Sequence, residues 1–147
     1  MSSSVAPCAL FERVSQSFAR QGMMRHLEAR LLRVESGCVE VALAYGDKVS
    51  QQQGGFHGGA MGTLADIAGG YAGLTVAPQG MEVTTVEYKI NFLRSFQNGE
   101  LRATGRVVKA GQRIIVTSAQ VVHVGADGKE SVCAVMQQTL VPVPQTY

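Results

Sequence analysis

Residues Gln51–Ala77, QQQGGFHGGAMGTLADIAGGYAGLTVA, decide how the rest of the chain is read. A glycine-rich turn ending in His57-Gly58-Gly59 runs into an apolar segment, Ala60–Ala77, whose one charged residue is Asp66. An ionised carboxylate in the middle of an apolar helix is costly unless it is paired or used. The glycines ahead of it leave backbone N–H groups bare at a helix N-terminus, where developing negative charge is stabilised. An anion-stabilising turn followed by a lone carboxylate suggests acyl-transfer chemistry.

Within the helix, Leu64, Ile67, Tyr71 and Leu74 form a single apolar stripe. Asp66 lies elsewhere on the wheel, flanked at i±3 and i±4 by Gly62, Thr63, Gly69 and Gly70. Each glycine costs up to about 1 kcal/mol relative to alanine, so a face this bare predicts close approach by another backbone. Pro78 and Gly80 stop the helix. Asp66 lies eight residues beyond Gly58, and at about 1.5 Å per residue the two are roughly 12 Å apart along the helix. A carboxylate there cannot serve an acyl carbon held at its own helix N-terminus. The spacing predicts a two-fold dimer whose sites mix residues from both chains.

Outward from this helix, Leu10, Val14 and Phe18 give an amphipathic helix over about 9–22, ended by Gly22 after a ragged Met1–Pro7. Leu27–Val34 and Cys38–Ala44 alternate around Ser36-Gly37 as a hairpin. Tyr45–Gly59 is a long loop, a length that is commonly functional. After the central helix, Val86, Tyr88, Ile90 and Phe92 alternate with polar residues. Further strands follow at Leu101–Val108, Arg113–Val124 and Ser131–Val141, with Pro142 and Pro144 closing the chain. The expected fold is α+β, an antiparallel sheet of five to six strands curled around one long central helix, in a single domain over 1–147.

Gly58 is the candidate donor to a carbonyl oxygen, with Gly59 beside it in substrate binding. Asp66 is general base on water or direct nucleophile on the carbonyl carbon. Gln51 is a candidate to orient water or the carboxylate. His57 is a base by residue type, but no Ser or Cys nucleophile lies near it in an elbow, and shaping the turn is the favoured role. A hydroxyl from Thr84 or Thr85 is placed to bond the carboxylate or water. Arg106, Lys109 and Arg113 flank the turn Lys109-Ala110-Gly111 and are candidates to meet a phosphate. His26 and His123 have no carboxylate at ligand spacing, and no metal site is expected.

Composition narrows the class. Charged residues make up 16% and apolar ones 46%, a balance that favours an oligomer. Net charge is +2 with scattered basic residues, so no nucleic-acid partner is expected. Cys8, Cys38 and Cys133 are odd in number with no CxxC pair, which fits a reducing, cytoplasmic compartment. Met1–Ala6 carries no signal peptide pattern, and Ala60–Ala77, with its Asp and four glycines, reads as a buried helix rather than a membrane span.

The pattern HGGAMGTLAD, followed by VEYKINFLR and GRVVKAGQRIIVTSAQV, resembles the hotdog-fold acyl-CoA thioesterases, and among them the phenylacetate-degradation type, over about residues 27–140. The resemblance implies side-by-side dimers with one continuous sheet, often doubled to tetramers. It implies an acyl-CoA or aryl-CoA substrate whose thioester carbonyl is polarised by the Gly58 N–H, with Asp66 of the neighbouring chain as nucleophile or base. Gln at position 51 is similar to the 4-hydroxybenzoyl-CoA thioesterases. Thr85 falls where the family places a water-positioning hydroxyl, and the basic residues near Lys109 resemble its contacts to coenzyme A phosphates. No cofactor is implied, since coenzyme A enters as part of the substrate. Two alternatives use the same segment. A hydratase or dehydratase needs a catalytic His in a turn or spacing that is absent here, and intact Asp66 argues against a module that only binds acyl-CoA.

Overall fold

The computed structural model describes residues 6–147. The readings made for residues 1–5 lie outside them. Pro7 is helical rather than part of a ragged terminus: it opens α1 (Pro7–Arg20) at the position where a missing N–H costs nothing. α1 buries Leu10 and Val14, and Phe18 packs against the core. Gly22 does not end this helix. The break falls at Gln21, which is extended, and Gly22 opens a second helix, α2 (Gly22–Leu27). Leu27 is therefore a buried helical residue, and Glu28 closes α2 at φ 56°. The strand expected from Leu27 starts three residues later.

β1 (Arg30–Glu35) and β2 (Cys38–Ala44) form the hairpin, turned at Gly37 with φ 77°. A single 3-10 turn, Asp47–Val49, and the glycine loop lead into α3 (Gly58–Val76). β3 (Met81–Phe92), β4 (Glu100–Ala110), β5 (Ile115–Val124) and β6 (Glu130–Pro144) follow. All pairings are antiparallel, and the six strands lie in the order β1-β2-β4-β5-β6-β3. This is the α+β sheet around a helix that the pattern predicts.

Two strand ends differ from expectation. Arg113 lies in the β4–β5 turn rather than on β5. β6 runs through both prolines, which pair with β3 at Val83↔Pro142 and Met81↔Pro144. They fit because the β5–β6 ladder ends at the Ile115↔Leu140 pair, so this stretch of β6 has a neighbour on one side only, as proline requires.

The sheet encloses α3. Burial extends beyond the single expected stripe to Ala60, Met61, Ala65, Ala68 and Ala72, as for a helix apolar all round. The glycines around and beyond Asp66 mostly face this chain's own sheet. A Cβ on Gly69 would collide with the side chains of Gln138 and Thr117, and one on Gly73 with Leu140. Gly105 of β4 has no room for a Cβ against the Ala68 carbonyl. Gly70 alone, of the glycines beside Asp66, faces open space. No helix among the described residues is long and apolar enough to cross a membrane.

Candidate active site

The N-terminus of α3 is set by His57. Its backbone is extended, its N–H donates to the Val49 carbonyl at 2.8 Å, and its Nδ1 accepts the Gly59 N–H at 2.7 Å. The ring thus caps the helix. Gly59 has its donor engaged, whereas the Gly58 N–H has no acceptor among the described residues. The Phe92 ring sits over Gly58, and a Cβ there would lie 3.3 Å from its Cζ.

Gln51 belongs to the loop before this turn. Its Oε1 accepts the Gln53 N–H at 2.5 Å, its own N–H donates to Gly55 and its carbonyl accepts from Gly54, both at 2.9 Å. The hydroxyl of Tyr45 also donates to the Gly54 carbonyl. Within one protomer Gln51 makes no hydrogen bond to Asp66.

Asp66 sits two turns along α3, half-buried. Its Oδ1 accepts from Thr85 Oγ1 at 2.7 Å and from Gln138 Nε2 at 2.5 Å. Gln138 Nε2 also lies 3.1 Å from Thr85 Oγ1, and Gln138 Oε1 accepts from Thr117 Oγ1 at 2.8 Å. Gln138 and Thr117 are fully buried. Of the two threonines on β3, Thr85 points inward to the carboxylate, and Thr84 is exposed. A bulge between Thr85 and Glu87 follows directly, and such bulges re-aim side chains beside sites.

Gln138 and Thr117 escaped sequence reading, although a signal exists. Both occupy inward positions on alternating strands, Gln138 between Met136 and Leu140 and Thr117 between Ile115 and Ala119. A polar side chain on an apolar face needs a partner.

Beside Asp66 a cleft of about 260 Å³ opens between α1, α3 and β3. Ile67 and Val83 supply apolar wall, and Tyr71 joins the lining. Its hydroxyl accepts from Gln21 Nε2 at 2.7 Å and lies 3.1 Å from Ser17 Oγ. Burial pushes this phenol above its ordinary range, so it stays neutral. α1 is held over the cleft by Arg13, which donates to the carbonyls of Ala77 at 3.1 Å and of Pro78 and Met81 at 2.9 Å.

The basic residues stand apart. Arg106 and Lys109 are exposed on β4, Arg113 is exposed in the turn, and none lines the cleft beside Asp66. Arg106 faces the outer side of the sheet with Thr104, Ser118 and Gln120. His123 stacks on Phe96 with ring centroids 4.2 Å apart, and its Nε2 lies 2.9 Å from the Asn98 carbonyl.

The comparisons with known proteins converge on one family. The model of the thioesterase superfamily matches residues 53–127. A putative esterase of Saccharolobus solfataricus is 32% identical over 120 residues, covering 82% of this chain and 79% of its own. The proofreading thioesterase EntH of Klebsiella pneumoniae is 29% identical over 91 residues, 62% of this chain and 66% of its own. The crystal structure of a thioesterase family protein from Silicibacter pomeroyi superposes with a TM-score of 0.89 at 34% identity, covering 92% of this chain and 99% of that one. With the helix-wrapping sheet, the glycine turn and the lone carboxylate already in place, the match leaves one assignment: the chain belongs to the thioesterase superfamily and is a hotdog-fold thioester hydrolase.

Proposed function

We propose that this protein hydrolyses an acyl- or aryl-CoA thioester to the free acid and coenzyme A, at sites shared between two copies of the chain. The observation that carries the reading is the state of Asp66. Both of its protein donors fall on Oδ1, and Oδ2 has no donor among the described residues. The carboxylate is fixed yet keeps one oxygen for chemistry, on the wall of a cleft.

In this scheme the Gly58 N–H of one protomer donates to the thioester oxygen, where negative charge grows as the carbonyl carbon becomes tetrahedral. Asp66 of the partner subunit either takes a proton from water, whose oxygen then adds to the carbonyl carbon, or adds itself to form an anhydride that water opens. The C–S bond breaks in both cases and the thiolate of coenzyme A leaves, to be protonated from solvent. His57 shapes the turn, and Gln51 in the loop beside it orients water or the carboxylate. Thr85 holds the carboxylate through its hydroxyl. Arg106, Lys109 and Arg113 meet coenzyme A phosphates at the outer rim.

The edge strand supports the pairing of two copies. β3 is twelve residues long, is paired on one side only and exposes Val86, Tyr88 and Phe92. A long apolar edge is a template for another strand. Two copies joined through β3 form one continuous sheet, and pairing of such dimers gives a tetramer. The three cysteines are free, which supports a reducing, cytoplasmic setting.

The test is release of free thiol from a panel of acyl- and aryl-CoA esters. Turnover of at least one ester by the wild type, lost in Asp66→Asn with fold and dimer retained, supports the reading. An Asp66→Asn variant that works at the normal rate overturns it.

A further inference from the structure

The scheme above gives Gln138 and Thr117 no part, and the geometry points to Gln138 as a positioning residue for Asp66, with Thr117 setting the direction of its amide. This rests on the proposed role of Asp66.

A glutamine amide carries two donors at one end and an acceptor at the other. Both ends of Gln138 are engaged although the side chain is fully buried. Thr117 Oγ1 donates to Oε1 at 2.8 Å, which turns Nε2 toward Asp66 Oδ1 at 2.5 Å and Thr85 Oγ1 at 3.1 Å. The reversed amide would set its carbonyl oxygen against the carboxylate. Thr85 adds its own donation to the same Oδ1 at 2.7 Å. Two donors on one oxygen fix the plane of the carboxylate and leave Oδ2 as the oxygen without a protein donor among the described residues.

Gly69 is an independent sign. A side chain at that position would collide with the Gln138 amide and the Thr117 hydroxyl. The helix therefore carries a glycine, a poor helix former, where the amide passes. The titratable groups that share the cleft with Asp66 are Tyr71 on α3 and Glu82 on β3. α1 contributes neutral Ser17 and the break after it neutral Gln21, while behind the carboxylate β5 and β6 place neutral Thr117 and Gln138. Gln138 bonds Asp66 and neither Tyr71 nor Glu82, so a change at Gln138 acts on the reaction through Asp66.

The experiment compares Gln138→Met, Thr117→Val and Thr117→Ser with wild type, using whichever acyl-CoA ester the wild type turns over. Misplacing a reacting group by about 1 Å costs on the order of 100-fold, so Gln138→Met lowers kcat by about 10- to 100-fold with KM within about twofold. Loss of a donor to the ionised form moves the acid limb of kcat/KM to higher pH. Thr117→Val shifts both readouts the same way by less, and Thr117→Ser, which keeps the hydroxyl, restores them. Added to Asp66→Asn, Gln138→Met produces no further loss, because the two act as one unit. If Gln138→Met keeps wild-type kcat and acid limb while Asp66→Asn is inactive, the positioning role is overturned and the proposed reaction stands. A loss matched by loss of folded protein, with an unmoved acid limb, overturns it as well. If Asp66→Asn is fully active, the proposed reaction itself falls. Should Gln138→Met fail to fold, the Thr117→Val and Thr117→Ser pair decides by the same readouts.

Discussion

The two ends of the proposed reaction are built differently, although both lie on α3. Around Asp66 everything is supplied by one protomer: Thr85 from β3, Gln138 from β6, and Thr117 from β5 behind it. Around Gly58 the protomer supplies a capped turn and a bare donor, with no acceptor among the described residues. The difference teaches where the proposed scheme calls for a second copy. The acid's donors come from one chain, while the Gly58 donor lies roughly 12 Å along the helix from that chain's own carboxylate at about 1.5 Å per residue, so a carbonyl held at Gly58 is out of that acid's reach.

The comparison breaks most completely at Asp66. Asp66→Asn keeps the size of the side chain and removes its basicity, and kcat falls by about 100- to 10,000-fold in a thiol-release assay. The donor end is tested by Gly58→Pro. Proline suits the first position of a helix and His57 before it is already extended, so the N–H disappears with the backbone kept, provided that the Phe92 ring gives by a few tenths of an ångström. Loss of one such donor lowers kcat by about 100- to 1,000-fold. Circular dichroism and thermal unfolding close to wild type confirm that the donor, rather than the helix, was removed.

Mixing these two inactive proteins asks whether the ends belong to different chains. After subunit exchange, a heterodimer of Asp66→Asn and Gly58→Pro chains holds one site with both defects and one with neither. Random pairing then returns about one quarter of wild-type activity. No recovery, with exchange shown by differently tagged subunits, places both groups in one protomer and breaks the composite site.

What the sequence showed of this arrangement follows the range of the contacts. α3 and the β1–β2 hairpin are written in local pattern, and Cys38–Ala44 matches β2 at both ends. Local pattern misled at Gly22, because a glycine that can end one helix can also start the next. Gln51 looked like a residue free to reach a site; its side-chain oxygen accepts from the backbone two residues away, and its Nε2 has no acceptor among the described residues. Gln138 stood in plain view as a polar residue on an inward face. Its meaning depends on β6 passing beside α3, 72 residues away from Asp66 in sequence. Arg106 shows the converse: the turn beside it is legible, but the side of the sheet it faces follows only from the register of β4 against β2 and β5.

The smallest effect concerns two adjacent glycines that the sequence treats alike. Gly69 is pressed against the Gln138 amide and the Thr117 hydroxyl, whereas Gly70 has nothing within 4 Å of the place a Cβ would occupy. Gly69→Ala must push buried partners aside and costs about 1–3 kcal/mol of stability by chemical denaturation. Gly70→Ala meets no such neighbour and gains about 0.5–1 kcal/mol from helix propensity and reduced freedom of the unfolded chain. Because Gly70 lines the cleft beside Asp66, its added methyl also narrows the space for an acyl group, and KM for the bulkiest esters rises while stability improves. Opposite signs in stability mean that the bare face of α3 is two surfaces, one packed on the chain's own sheet and one open to the cleft. If both alanines destabilise alike, Gly70 is enclosed in the assembled protein, and a second chain reaches the helix at that point after all.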